Sequence, residues 1–586
     1  MKKFVSLVLA VVMLATMLSV LAIPAFAEGK EKVKVPSEVH LHYTGKELTA
    51  FEDTELYTVV GGKKTDCGEK DALLYLRDGN SYRWDGIDGI EAKVHFEVHE
   101  YADKDKNGYC DTCGGTNGYI FYISYLEKKT NDDNSVTTEE KLCQGAWGVS
   151  EKDEAWGISG KTTWYVVYRN VELKNRPEVL GDVHLILCDN TVLNAPYGIT
   201  LEKGNSLTVY AQSDGDAMGK LEIKDFGGNG TWNKAADAAI GGRGGSDGTK
   251  EKVAGDIGTS AGVLCWKGGS LIVTAPNGVC IGGGDGGNGY GDYEPNERGG
   301  NGGSGTDVTV YGGVIYLDGA SGIGGGSGGE GGSSLDFDGG NGGNGGSGGT
   351  FAVYNGNVTI YSTEGVCIGG GNGGNGGSGE HGVSGGNGGN GGSGSAFAVY
   401  NGMVELHSTK GVCFGGGNGG NGGNNNSRLT GGIGNGGNGG SGGSATFFGG
   451  TVTMNAALAC FGGGQGAEGG IKENSNGTVF NGEPGNNGRP TALTVESGAT
   501  VNVGADEATA QTISVTETVT ADSNNENYKD KTYCEISFPA SHAGSILSDG
   551  SIWIIAAVAV VAAAGVATLV IVKKKKNPAL AENSEE

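Results

Sequence analysis

Residues 351–371 read FAVYNGNVTIYSTEGVCIGGG, and residues 397–417 read FAVYNGMVELHSTKGVCFGGG. Both alternate apolar and polar residues in short runs broken by Asn-Gly and Thr-x-Gly. Alternation bounded by turn residues marks short strands. The apolar residue ahead of each glycine run recurs as Ile240, Ile281, Ile323, Ile368, Phe414 and Phe461, at steps of 41, 42, 45, 46 and 47. Ile199 fits one further step of 41 upstream. Three short strands per unit, in units that recur, describe coils of a parallel β-solenoid. Val353, Val358, Ile360, Val366 and Ile368 are expected to point inward. Val399, Val404, Leu406, Val412 and Phe414 should stack on them one strand spacing away, ~4.8 Å. Cys280, Cys367, Cys413 and Cys460 share one coil position, where the intervening coil has Gly322. A small apolar thiol suits an inward stack. Strand geometry rarely suits a disulfide there, so free thiols are expected.

The second half of each unit is glycine in triplet phase. Polar residues fall at Asn372, Asn375 and Ser378, then, after the turn EHGVS, at Asn387, Asn390 and Ser393. Ser327, Glu330 and Ser333 pair in the same way with Asn341, Asn344 and Ser347, and Asn418, Asn421 and Asn424 with Asn435, Asn438 and Ser441. A flexible linker has no reason to keep a period of three. A polyproline-II-type helix has three residues per turn and ~3.1 Å rise, which puts every polar residue on one face. Each insertion therefore reads as a hairpin of two polyglycine-II helices. Its glycine faces should be packed and its polar face should tolerate change. Collagen is excluded, because 119 glycines come with only 10 prolines. The last insertion, 462–491, loses the triplets and reads as a cap.

The chain ends carry targeting signals. Residues 1–27 have two lysines, an apolar run and the Ala25-Phe26-Ala27 site of a signal peptide. Residues 552–572 are uncharged and apolar for one bilayer thickness, and Lys573–Lys576 follow. The expectation is a single-pass cell-membrane protein with its bulk extracellular. It has a stalk at 516–551, a transmembrane helix at 552–572 and a cytoplasmic tail at 573–586. No LPxTG-like sortase signal precedes the span. The net charge of −26 argues against nucleic acid as a partner.

Residues 28–100 read as a β-sandwich, with short alternating segments such as LHYTGKELTAFEDTELYTVVGG and ALLYLRDGNSYRWDG. The order of Tyr-Thr-Gly, Tyr-Thr-Val-x-Gly and Tyr-x-Trp-x-Gly resembles bacterial immunoglobulin-like repeats of surface proteins. A connecting region, 101–163, contains DKDKNGYCDTCGG. Asp103, Asp105, Asn107 and Asp111, with Gly108, match a calcium loop, although Gly114 stands where a bidentate Glu is expected. Cys110 and Cys113, with His95 and His99, offer a zinc alternative. An Asp/Asn/Gly-rich turn with a local disulfide, or with partner cysteines elsewhere at Cys67 and Cys143, is the third reading.

Residues 164–515 are the expected solenoid. With WYVVYRNVELKNRPEVLGDVHLILCDN as its entry, this region resembles adhesin-like β-helix proteins of anaerobic Gram-positive bacteria, often labelled carbohydrate-binding. The resemblance implies surface display and contact with a glycan, a host or matrix surface, or other cells. Tyr311, Tyr354 and Tyr400 recur at one coil position and form a candidate tyrosine ladder for glycan binding, with Tyr316 and Tyr361 as further candidates. A polysaccharide lyase, the third functional reading, would need an acidic cluster such as Asp285, Asp292, Glu294 and Glu297 with Arg298. No Ser/His/Asp set can be assembled from the spacing, so no enzyme is expected.

Overall fold

The computed structural model describes residues 30–42, 48–99, 119–120, 123–143, 145–228, 234–291, 297–427, 431–474, 476 and 478–539. The chain is mainly β and divides into two compact units, residues 1–119 and 120–586. The segments expected to be a signal peptide (1–27), a membrane span (552–572) and a calcium loop (103–114) lie outside the described residues. Among the described residues, no helix is long and apolar enough to cross a membrane.

In the first unit, a four-stranded sheet runs in the order Val39–His42, Glu91–His99, Gly68–Leu76, Tyr57–Val60. The first pair is parallel and the other two are antiparallel. Period-two alternation buries Ala72, Leu74 and Leu76 with Ala92, Val94, Phe96 and Val98 on one face. Phe51 packs edge-to-face on Phe96 at 6.0 Å.

The second unit is built on parallel pairing between successive repeats. Ile199, Ile240, Ile281, Ile323, Ile368, Phe414 and Phe461 each lie directly beside the next. A second ladder joins Val314–Gly324, Asn357–Ser362, Met403–Ser408 and Thr451–Ala456. A third joins Asp307–Val310, Thr350–Val353, Ala396–Val399, Ser444–Phe447 and Ala492–Val495. Inward columns such as Leu317, Ile360, Leu406 and Met454 are fully buried. Each such side chain contributes ~1.5–3 kcal/mol of hydrophobic stabilisation. Of the residues expected to point inward, only Val412 is half-buried. The four cysteines occupy one buried column with Gly322, where any Cβ would collide with the Cys367 carbonyl and Ile360.

Two boundaries differ from the sequence expectation. Parallel pairing begins at Ala146–Gly148 and Ala155–Val167, ahead of residue 164. A hairpin, Ile123–Thr130 with Val136–Cys143, precedes it and packs Tyr125 against Trp164 and Tyr210. At the other end, Val519–Asp522 and Tyr533–Ser537 fall in the expected stalk but are strands. They pair antiparallel with Ala492–Val495, and with Thr451–Ala456 and Thr500–Gly504. Antiparallel closure covers the last parallel strands, which would otherwise present an open edge.

The glycine insertions form a hydrogen-bonded body outside the strands. Seven consecutive N–H groups, Gly386 to Gly392, are all satisfied. Gly386, Gly389 and Gly392 donate to Gly377, Gly374 and Gly371 of the other arm of the same hairpin, each at 2.8 Å. Gly388 and Gly391 donate to the Asn435 and Asn438 carbonyls of the following repeat at 2.9 and 2.8 Å. Asn387 and Asn390 donate to the side-chain Oδ1 of Asn341 and Asn344 in the preceding repeat, both at 2.8 Å. None of the five glycines in this run has a positive φ. They are glycine for space: a Cβ on Gly388 would strike the Gly420 carbonyl, and one on Gly389 the Gly343 carbonyl.

The asparagines are therefore not passive surface residues, as the sequence reading had them. Each Oδ1 satisfies a backbone N–H of the next repeat, and the column Asn301, Asn344, Asn390, Asn438, Asn486 continues this through five repeats. The last insertion keeps the pattern and ends it. Gly436, Gly439 and Gly442 donate forward to the carbonyls of Glu483, Asn486 and Arg489. The residues that would donate forward in their turn are Pro484, Asn487 and Pro490. Two of the three have no N–H to leave unpaired.

Candidate functional site

Tyr311, Tyr354 and Tyr400 each directly follow a strand of the third ladder, at the start of a turn. Gly313, Gly356 and Gly402 complete those turns at φ of 84°, 107° and 92°, where only glycine is unstrained. Equal turns bring the rings into register. Tyr311 and Tyr354 stack at 5.2 Å and 8°, Tyr354 and Tyr400 at 4.4 Å and 2°, and Tyr400 and Phe448 at 4.7 Å and 2°. At the upstream end, the Lys267 ammonium lies 5.5 Å over Tyr311 and 5.5 Å over Tyr210, and it also pairs with Glu127 of the hairpin. Burial raises the Tyr311 and Tyr354 hydroxyls above the usual tyrosine range.

The sequence reading thus located a real ladder, but its geometry limits what the ladder can bind. Sugars pack on aromatic ring faces, and here each face of Tyr354 and Tyr400 is covered by the adjacent ring. The stack offers edges and hydroxyls to solvent, and contributes ~0.5–1.5 kcal/mol per pair to the register of the repeats. Tyr316 and Tyr361 approach at 5.7 Å with a 46° tilt, and His407 stacks on Tyr361 at 4.5 Å. Burial lowers the His407 imidazole, which keeps it neutral at physiological pH.

The acidic set is divided. Asp292 and Glu294 lie outside the described residues, Glu297 is fully buried, and Asp285 accepts the Ser327 N–H at 2.7 Å. Desolvation pushes the Asp285 carboxyl up to about 7. Asp103, Asp105, Asn107 and Asp111 also lie outside the described residues. Among the described residues, no group of three or more His, Cys, Asp or Glu side chains could hold a metal. His95 instead hydrogen-bonds Asp71 at 3.1 Å, which raises its pKa. The column cysteines are free, and burial holds the Cys280 and Cys367 thiols well above the usual range.

Sequence reasoning missed a groove of about 490 Å³ at the corner where the strands meet the glycine body. Val366, Val412 and Leu458 line it together with Asn372, Asn418 and Gln465. Leu458 is 43% exposed, and Val412 is half-buried because it faces this groove. Asn524, Lys529 and Asp530 of the C-terminal segment also line it. Glu364 also lines the groove and is neutralised by Lys410 at 2.6 Å. The carboxamides were legible as a column of polar residues, but the placing of the apolar side chains beside them depends on how the hairpin leaves the strand.

Compared with known proteins, the chain matches no family model, no curated sequence and no solved structure.

Proposed function

We propose that this is a membrane-anchored extracellular surface protein of adhesin-like character, whose repeats form a rigid parallel β-solenoid stiffened by polyglycine-II hairpins. Its leader is a signal peptide, its first unit an immunoglobulin-like domain, and residues 552–572 its membrane anchor. The observation that carries this reading is the unbroken parallel register of the seven residues from Ile199 to Phe461. Pairing repeated at one spacing builds a rod, and a rod standing on one membrane helix suits contact with a host surface, a matrix or another cell. External protease on intact cells is expected to remove residues 28–551. Protection of that region would refute surface display.

A second reading, recognition of polysaccharide, is favoured by the groove beside Asn372 and Asn418. It moves the binding face away from the stacked tyrosines.

A further inference from the structure

We infer that the groove lined by Val366, Val412, Leu458, Asn372, Asn418 and Gln465 binds a short linear stretch of an uncharged glycan. The inference rests on the second reading above and is independent of surface display.

The hydrogen-bonding chemistry of the carboxamides is decided by the glycine body. Asn372 Oδ1 accepts the Asn418 N–H at 2.8 Å, and Asn418 Oδ1 accepts the Gln465 N–H at 2.9 Å. With these oxygens committed to backbone, the carboxamides meet a ligand through their Nδ2 donors. The ligand must then present acceptors in a row, as the hydroxyl, ring and acetamido oxygens of a sugar chain do. The aliphatic side chains of Val366, Val412 and Leu458 that share the groove suit the C–H face of a pyranose. Together they give the apolar surface with a few placed polar groups that small-ligand sites use.

Spacing distinguishes a glycan from a peptide. The carboxamides recur once per repeat, at the strand spacing of ~4.8 Å. A linear pyranose chain advances by close to that distance per sugar, so each sugar meets one donor, alternate sugars through opposite edges because β-1,4-linked residues are flipped. An extended peptide advances ~3.3 Å per residue, matches neither one nor two residues to the donor spacing, and loses register within the groove. Charge argues against polyanions. Glu364 is paired with Lys410, Lys529 and Asp530 balance in charge, and the whole chain carries −26.

The test uses full-length protein at pH 8 and isothermal titration with three tetrasaccharides, β-1,4-linked glucose, N-acetylglucosamine and mannose, with heparin as comparator. Asn372→Asp and Asn418→Asp, combined, keep an Oδ1 for the backbone and replace the Nδ2 donors with an acceptor. The fold already uses this exchange, since Asp247 and Asp338 accept backbone N–H groups at 2.7 Å in equivalent roles. The expected result is binding of at least one neutral tetrasaccharide, weakened at least tenfold in the double variant and in Leu458→Asp. Asn390→Asp, on the other arm of the hairpin, should bind as the native protein does. Native binding of a neutral glycan that the double variant retains would overturn the site while leaving the glycan reading standing. Binding of heparin alone, or of no tetrasaccharide, would overturn both.

Discussion

Replacing Gly388 with alanine tests whether the glycine body is packed. A Cβ there would collide with the Gly420 carbonyl and lie 2.8 Å from the Asn421 carbonyl oxygen. Both contacts are backbone, so neither can swing away as a flexible side chain would. The arms must part, and three hydrogen bonds are at stake: Gly388 to Asn435, Gly389 to Gly374, and Gly420 to Gly389, at 2.8–2.9 Å. Each contributes ~0.5–1.5 kcal/mol net, and overpacking adds ~1–3 kcal/mol. Against this stands a gain of ~0.4–1 kcal/mol from restricting the unfolded chain. The net expectation is a loss of ~2–4 kcal/mol. Urea unfolding of the full-length protein, followed by far-UV circular dichroism, measures it as a lowered midpoint. If the insertion were a loose loop, only the unfolded-state gain would remain. A midpoint unchanged or raised by Gly388→Ala would therefore refute the packing argument.

Two other outcomes follow from buried groups. Asp285 has a folded pKa raised from 3.8 to about 7, so its stabilising contribution is complete below pH 4 and is lost as pH rises through 7. Asp285→Asn should remove that loss, raising the unfolding free energy at pH 8 by at most ~4 kcal/mol at ~1.4 kcal/mol per pH unit, and with it the melting temperature, but not at pH 4. Thermal melts at the two pH values check the sign, and an equal shift at both would contradict it. Cys367 and Cys413, fully buried as free thiols, should resist iodoacetamide until urea unfolds the repeats and then label fully. Rapid labelling of the native protein, read by mass spectrometry, would contradict the inward column.

The repeat was legible in the sequence because burial acts on it directly. Ile240, Ile281 and Ile323 must be apolar to fill the interior, and their spacing survives changes in insertion length. The triplet phase was legible for a similar reason, since a neighbouring carbonyl excludes every Cβ at Gly388 and Gly389. Alanine appears in the body at Ala261 and Ala467, in its first and last repeats, where one neighbour is missing. The role of the asparagines was harder to see. A polar residue once per turn reads as solvated whether or not its oxygen turns back to the backbone. The signal was chemical: Asn387, Asn390 and Asn435 are short acceptors where lysine or threonine would serve solubility equally well. The hairpin at 123–143 has clear strands on either side of an Asn/Asp turn, but its docking on Tyr210 is a long-range contact that local pattern does not encode. The groove is a product of packing alone, formed where Val412 and Leu458 are left uncovered beside Asn418. The stacked tyrosines were found by spacing, whereas the covering of their faces required ring orientations.

The glycine insertions are ordered, with every N–H from Gly386 to Gly392 bonded to a neighbouring arm or repeat. Amide hydrogen exchange of the full-length native protein over residues 386–392, resolved by mass spectrometry, measures this directly. Exchange as slow as in the strand Met403–Ser408 of the following repeat is expected. Exchange at random-coil rates across 386–392, with Met403–Ser408 still protected, would contradict it.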